Sequence, residues 1–116
     1  MKERTIQNEI RLLLPTLGAT GFRANVGQAW TGDEIIRMAN GDELIRNARP
    51  FKTGLPPGFS DIFGLTDTGQ FFALEVKAEK GRASDHQARF LQHIRDSNGL
   101  AGVARNVEDA EKIIRG

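Results

Sequence analysis

The chain contains no cysteine and no tyrosine, only two histidines and one tryptophan, and its formal net charge is +1 over 116 residues. The absence of cysteine excludes disulfide bonds and thiolate metal sites, and it fits a protein in a reducing compartment. Because the charge is almost balanced, composition alone does not indicate a nucleic-acid-binding protein. No hydrophobic run approaches the length of a membrane span, and the first residues form no apolar signal segment. We therefore expect a cytoplasmic protein that does not contact a membrane.

The length and the hydrophobic pattern predict a single α/β domain over residues 1–116, with a mixed β-sheet flanked by helices. Apolar residues at helical spacing predict a helix over residues 3–17, which Pro15 ends or kinks near Leu14. The other predicted elements follow in chain order: a strand over 22–26, an added β-hairpin over 33–49 with its turn at Asn40-Gly41-Asp42, a loop over 50–58, strands over 62–65 and 71–77, a helix over 84–97, a strand over 100–104 and a helix over 106–114.

The clearest chemical signal is an acidic residue before one strand and a Glu-x-Lys sequence in the next. Asp61 is followed fourteen residues later by Glu75-Val76-Lys77. Side chains alternate along a strand, so Glu75 and Lys77 share one face. Two adjacent carboxylates stay ionised when a cation lies between them, and oxygen ligands without Cys or His favour Mg²⁺ or Mn²⁺. The pattern is typical of a metal-dependent phosphodiesterase, and the alternative is a surface salt bridge between Glu75 and Lys77.

Candidate roles follow from this pattern. We predict that Asp61 and Glu75 bind the metal and that the main-chain carbonyl of Val76 is a further ligand. Lys77 is predicted to position or deprotonate the attacking water, or to stabilise charge on the phosphate. Glu9 lies at the flank of the apolar stripe of the first helix, and it is either another metal ligand or a solvated carboxylate.

Two further groups of polar residues have both a structural and a functional interpretation. Gln87 completes a capping box with Ser84, and it lies at the start of the helix that follows the Glu-x-Lys strand. It either caps the helix alone or also faces the catalytic site. Basic residues on or beside the hairpin are predicted to bind DNA phosphates, or else to keep sheet edges soluble. These residues are Arg37, Arg46, Arg49 and Lys52.

Four motifs together resemble the VRR-NUC domain of the PD-(D/E)XK nuclease superfamily. They are Gly58-x-Ser60-Asp61, Glu75-Val76-Lys77, Ser84-x-x-Gln87-x-x-Phe90 and Val103-x-Arg105-x-Val107-Glu108-Asp109-Ala110. The resemblance covers essentially the whole chain and is to the compact stand-alone form found in phages and bacteria. Ser60 departs from the superfamily pattern, in which proline is frequent at this position.

The resemblance implies a restriction-endonuclease-like core and a Mg²⁺- or Mn²⁺-dependent DNA endonuclease. It implies an active site made of Glu9, Asp61, Glu75 and Lys77, and no small-molecule cofactor. It also implies a homodimer that acts on branched DNA such as four-way (Holliday) junctions. The alternatives are a flap or single-strand nuclease and a non-catalytic DNA-binding module with the same fold.

Overall fold

The computed structural model describes residues 1–24 and 28–116 of the chain. Its elements are α1 (Glu3–Leu13), a 3₁₀ helix (Leu14–Leu17), β1 (Thr20–Arg23), β2 (Gln28–Thr31), β3 (Glu34–Arg37), β4 (Glu43–Arg46), β5 (Arg49–Lys52), β6 (Ile62–Leu65), β7 (Phe71–Val76), α2 (Asp85–Asp96), β8 (Leu100–Ala104) and α3 (Val107–Arg115). None of the helices in these described ranges is long and apolar enough to cross a membrane.

The central sheet has four strands in the order β1-β6-β7-β8. Strand β6 pairs antiparallel with both β1 and β7, whereas β8 pairs parallel with β7. Helix α2 connects β7 to β8, because parallel neighbours need a crossover. The predicted mixed sheet flanked by helices, consistent with a restriction-endonuclease-like core, is confirmed.

The hydrophobic core lies between this sheet and the helices α1 and α3. Phe72, Leu74 and Val76 are completely buried in this core, as the period-two pattern of β7 predicts. Ile6 and Ile10 of α1 belong to the same cluster. The alternate side chains of β7 therefore point to the opposite face of the sheet, where α2 packs.

The first helix ends where the sequence predicts. Helix α1 stops at Leu13, and Pro15 lies in the 3₁₀ helix, where its missing N–H removes no α-helical hydrogen bond. The strand predicted over residues 22–26 begins earlier, at Thr20, and ends at Arg23. Val26 lies outside the described residues.

Residues 28–52 contain two separate two-stranded ladders, which we call the arm. The predicted hairpin forms the ladder β3–β4, with Ile35 opposite Ile45. The second ladder pairs β2 with β5 and sets Trp30 opposite Pro50. The prediction of a loop over residues 50–58 is therefore wrong for residues 50–52. Proline is a poor strand former, but it is accepted on an edge strand such as β5.

One glycine allows the loop before β6 to lie directly on α2. Gly58 has φ 83°, and a Cβ added to it would overlap the main-chain carbonyl of His86. Only glycine accepts both the left-handed backbone and this close approach without strain. The contact brings the segment that carries Asp61 to the first turn of α2.

Candidate active site

Asp61 is held by main-chain groups of the strands on both sides of it. Its Oδ2 accepts the N–H of Val76 at 2.8 Å, and its carbonyl accepts the N–H of Ala24 at 2.8 Å. Ile62 pairs with Leu74 in the β6–β7 ladder, so continuing the register by one residue sets Asp61 opposite Glu75. The two carboxyl groups therefore meet on the face of the sheet that α2 covers.

Glu75 is a buried carboxyl group with one oxygen satisfied and one unsatisfied. The residue is 2% exposed. Its Oε1 accepts a hydrogen bond from Nε2 of Gln87 at 3.0 Å and lies 4.0 Å from Nζ of Lys77. Its Oε2 is buried and has no hydrogen-bond partner among the described residues. Buried polar atoms rarely lack a partner, and this oxygen is in a position to share a proton with Asp61 or to bind a further ligand.

The surroundings of Glu75 favour its protonated form. Burial raises the pKa of Glu75 from the usual 4.5 to about 8, and the hydrogen bond and negative charge of Asp61 act in the same direction. The ammonium of Lys77 opposes this rise, and the carboxylate of Glu3 adds to it. A proton or a cation between Asp61 and Glu75 is therefore needed for the two side chains to lie together at neutral pH.

Lys77 follows β7 directly and shares the face of Glu75, as the strand alternation predicts. Its main-chain N–H donates to the carbonyl of Ala104 at 3.1 Å, which extends the ladder between β7 and β8 by one residue. Its side chain is 17% exposed. The ammonium thus lies beside the carboxyl pair at the border between the core and solvent.

Gln87 takes part in the helix cap and in the site at the same time. Its Oε1 accepts the N–H of Ser84 at 2.8 Å, and the hydroxyl of Ser84 accepts the N–H of Gln87 at 3.2 Å, which completes the capping box. Its Nε2 donates to Glu75. Both interpretations of Gln87 thus have a contact in the structure, because an amide offers an acceptor and a donor on opposite sides.

Comparison with protein families identifies the chain. A family model of the VRR-NUC domain matches residues 9–108, which is most of its length. The chain belongs to the VRR-NUC family. No curated protein matches the sequence. The VRR-NUC domain is a nuclease domain that acts on DNA, and the matched range contains Asp61, Glu75, Lys77 and Gln87.

Glu9 is the carboxylate of α1 that is predicted to join the carboxyl pair of the VRR-NUC domain. Glu9 is exposed and lines a surface hollow with Met1, Glu79 and Asp109. The charge of another α1 carboxylate, that of Glu3, contributes to the raised pKa of Glu75. The role of Glu9 as a metal ligand stays a prediction.

A signal for Glu3 is present in the sequence. Residues 3, 6 and 10 have the spacing of one helix face, so Glu3 continues the buried stripe of Ile6 and Ile10 by one turn toward the N-terminus. Glu9, in contrast, lies about a quarter of a turn away from this stripe. Glu3 is therefore a second candidate on α1 beside Glu9.

The site fits a divalent cation in the chemistry of its donor atoms but not in the number of side chains arranged to hold it. Across residues 1–24 and 28–116, no group of three or more acidic, histidine or cysteine side chains is arranged to hold a metal ion. The pair of Asp61 and Glu75 nevertheless offers hard oxygen donors, and Oε2 of Glu75 is an unpartnered buried atom. The donor chemistry of this pair fits Mg²⁺ or Mn²⁺.

The arginines predicted to bind DNA lie on the arm, and each one already has an acidic partner. Arg37 pairs with Glu43 at 3.3 Å, Arg46 with Glu34 at 3.3 Å and Arg49 with Asp33 at 3.1 Å. All these side chains are largely exposed, so each pair is weak and exchanges readily with solvent or another anion. Of the described residues, none provides a carboxylate within 4.0 Å of the fourth candidate, Lys52.

Proposed function

We propose that this VRR-NUC domain is a Mg²⁺- or Mn²⁺-dependent endonuclease that cleaves branched DNA, such as four-way junctions, as a homodimer. The observation that carries the proposal is the contact between Asp61 and the buried Glu75, whose Oε2 has no partner among the described residues. Lys77 lies beside this pair. A buried carboxyl pair with an adjacent ammonium contributes little to stability but suits the binding of a cation and a phosphate.

Asp61 and Glu75 would hold the cation, with the carbonyl of Val76 as a further ligand. Of the two α1 carboxylates, Glu3 has the better support as an outer or additional ligand, because its charge acts on Glu75. A bound Mg²⁺ or Mn²⁺ polarises the phosphoryl oxygens and lowers the pKa of a coordinated water.

The side chains of Gln87 and Lys77 orient Glu75 and supply a positive charge beside it. Nε2 of Gln87 holds Oε1 of Glu75 and so leaves Oε2 available to the cation. The ammonium of Lys77 donates hydrogen bonds to the attacking water or to the phosphate, and its positive charge favours the transition state over the ground state. Because it is only partly exposed, its charge is less screened than that of a surface lysine.

The exposed apolar residues of the arm support a homodimer. An isolated two-stranded ladder is marginally stable in water, and each ladder of the arm has only four residues per strand. Several large apolar side chains of the arm are about half exposed: Trp30, Ile35, Met38, Leu44 and Phe51. Cross-strand pairing places Ile35 with Ile45 and Leu44 with Ile36, so Ile35 and Leu44 lie on opposite faces of the β3–β4 ladder. Apolar side chains on both faces suit an apolar partner, and we assign that role to a second copy of the chain.

A two-fold dimer presents two identical catalytic sites, which suits a junction with paired scissile strands. The exposed charged side chains of the arm would then remain available for phosphates. Sedimentation analysis tests the dimer directly. The double variant Ile35→Ser, Leu44→Ser should be monomeric, and an unchanged mass would remove the β3–β4 ladder from the interface.

The catalytic proposal is tested by gel-resolved cleavage of labelled linear duplex, single strand, flap and four-way junction. Each DNA is incubated with Mg²⁺, Mn²⁺ or EDTA, and the wild type is compared with Lys77→Ala. The matched control is Lys112→Ala, which removes an exposed lysine from α3. We expect metal-dependent cleavage of the junction that Lys77→Ala abolishes and Lys112→Ala retains, while DNA binding persists in both variants.

Other outcomes would change the proposal in defined ways. Cleavage of the flap or single strand instead of the junction would keep the chemistry and replace the substrate. Tight binding without cleavage of any DNA would favour a non-catalytic DNA-binding module. Cleavage in EDTA would rule out the metal, and full activity of Lys77→Ala would remove that residue from the mechanism.

A further inference from the structure

We propose that Arg105 is a positioning residue that holds the ammonium of Lys77 beside the carboxyl pair by fixing the loop of residues 78–81. The role of Lys77 itself rests on the proposed function. The connection from Arg105 to Lys77 runs through the loop, which Arg105 holds by hydrogen bonds and in which Gly81 lies close to the Lys77 side chain.

The first step is the set of hydrogen bonds from Arg105 to the loop. Its Nη1 donates to the carbonyls of Ala78 at 2.6 Å, Gly81 at 2.6 Å and Glu79 at 3.1 Å. The N–H of Gly81 also donates to the carbonyl of Ala78 at 3.0 Å, which closes the turn. Three carbonyl oxygens that converge on one point repel one another, so the turn depends on a cationic donor at its centre.

The second step is the contact between the loop and the lysine. A Cβ added to Gly81 would lie 3.4 Å from Cβ and 3.4 Å from Cδ of Lys77, so the main chain of Gly81 lies alongside the aliphatic part of that side chain. A lysine side chain has four rotatable bonds and does not fix its own ammonium. The main chain of Gly81 bounds the space in which this side chain can rotate, while Nζ lies 4.0 Å from Oε1 of Glu75.

The third step is the anchoring of Arg105. Its N–H donates to Oδ2 of Asp109 at 3.0 Å, and the N–H of Asp109 donates to Oδ1 of Asn106 at 2.8 Å. The neighbouring residue Ala104 is completely buried and accepts the N–H of Lys77. The main chain of Arg105 is thus anchored where β8 meets α3, and its guanidinium reaches the loop from there.

The test compares Arg105→Met with Arg105→Lys and with a matched control, Arg95→Met. The control also removes a guanidinium that donates to a main-chain carbonyl, because Arg95 donates to the carbonyl of Ala101 in β8 at 3.0 Å. Arg95 belongs to α2, and this hydrogen bond does not involve the loop of residues 78–81. The first measurement uses the metal-free protein: the rate at which an amine-reactive reagent acylates Lys77, followed by mass spectrometry. The second measurement is the single-turnover cleavage rate and KM on the cleaved DNA.

We expect the reagent to acylate Lys77 several-fold faster in Arg105→Met than in the wild type. The same substitution should lower the cleavage rate roughly tenfold to a hundredfold, with little change in KM. Guanidinium chloride, at concentrations far below those that unfold proteins, should restore part of this rate, and urea at equal concentration should not. Arg105→Lys should be intermediate, because an ammonium lacks the planar fork of donors. Arg95→Met should match the wild type in both measurements.

Unchanged acylation of Lys77 in Arg105→Met would overturn the proposal, as would an equal loss of cleavage in Arg95→Met. If Arg105→Met does not fold, Arg105→Lys decides, and its acylation rate must exceed that of the wild type. If the wild type cleaves no DNA, the proposed function fails, but the acylation rates still decide whether Arg105 positions Lys77.

Discussion

The side-chain amide of Gln87 donates to Oε1 of Glu75 at 3.0 Å, while its own Oε1 accepts the N–H of Ser84 at 2.8 Å. One planar group therefore joins the start of α2 to the buried carboxylate. The position of the helix and the orientation of Glu75 are thus coupled, and a substitution at Gln87 can separate the two roles.

Gln87→Glu keeps the acceptor of the capping box and removes the donor to Glu75. We expect DNA cleavage to fall roughly tenfold or more, because Glu75 loses its orienting hydrogen bond and gains a negative neighbour. Ser84→Ala is the control, since it weakens the cap by about 1 kcal/mol without removing the contact to Glu75. Urea unfolding and cleavage rates should separate the two variants. Equal cleavage by Gln87→Glu and the wild type would restrict Gln87 to the cap.

The raised pKa of Glu75 predicts that the metal-free protein becomes less stable as the pH rises. The pKa is about 8 in the folded protein and 4.5 ordinarily, so between these values the folded state binds more protons than the unfolded chain. The contribution to stability is complete below pH 4.5 and is lost as the pH rises through 8. Urea unfolding in EDTA across this window measures it. Glu75→Gln should flatten the curve, and an identical pH dependence in that variant would contradict the assignment.

The two carboxylates of α1 can be separated by matched substitutions. We expect Glu3→Gln to weaken Mn²⁺ binding, because the charge of Glu3 acts on Glu75, and we expect Glu9→Gln to leave it unchanged. Isothermal titration calorimetry measures both, with Asp61→Asn as the variant that loses a proposed direct ligand. A weaker affinity in Glu9→Gln alone would assign the ligand role to Glu9 and not to Glu3.

Gly58→Ala should destabilise the fold by more than Gly54→Ala. Both glycines have nearly the same backbone angle, φ 83° and 84°, so the left-handed strain of about 1–2 kcal/mol is common to both. Only at Gly58 would the added Cβ overlap the main chain of His86, whereas no atom of the described residues lies within 4 Å at Gly54. Urea midpoints give the difference, and equal losses would mean that the loop moves away from α2 without cost.

Neutralising Arg46 and Arg49 together, by substitution with Gln, should weaken binding to all DNA sequences alike. Exposed ion pairs contribute little, so Glu34 and Asp33 do not prevent these arginines from contacting phosphates. The slope of log K against log salt should fall in magnitude by about one for each of the two arginines that binds a phosphate in the wild type. The control is Arg115→Gln, which removes an exposed, paired arginine from α3. The same slope in all three proteins would show that the arm does not contact phosphate.

The sequence alone was sufficient for features that depend on neighbours within a few residues. The alternation of β7 separated Leu74 from Glu75, and the capping box located the start of α2 at Ser84. The hairpin turn at Gly41 and the stop of α1 before Pro15 follow from similarly local rules, because backbone angles and hydrogen bonds within one turn decide them.

Tertiary structure decided what depends on distant segments. Helical phase places Glu3 in line with the apolar stripe of α1 and Glu9 at its flank, but periodicity does not say which end of the helix approaches the sheet. Strand β5 formed despite Pro50, because it pairs with a strand about twenty residues earlier. The proposed role of Arg105 could likewise not be predicted from the sequence, because its partners are main-chain carbonyls, which every residue type has. The sequence therefore determines which residue types are available to the candidate active site, whereas packing between distant elements determines which of these residues contact one another.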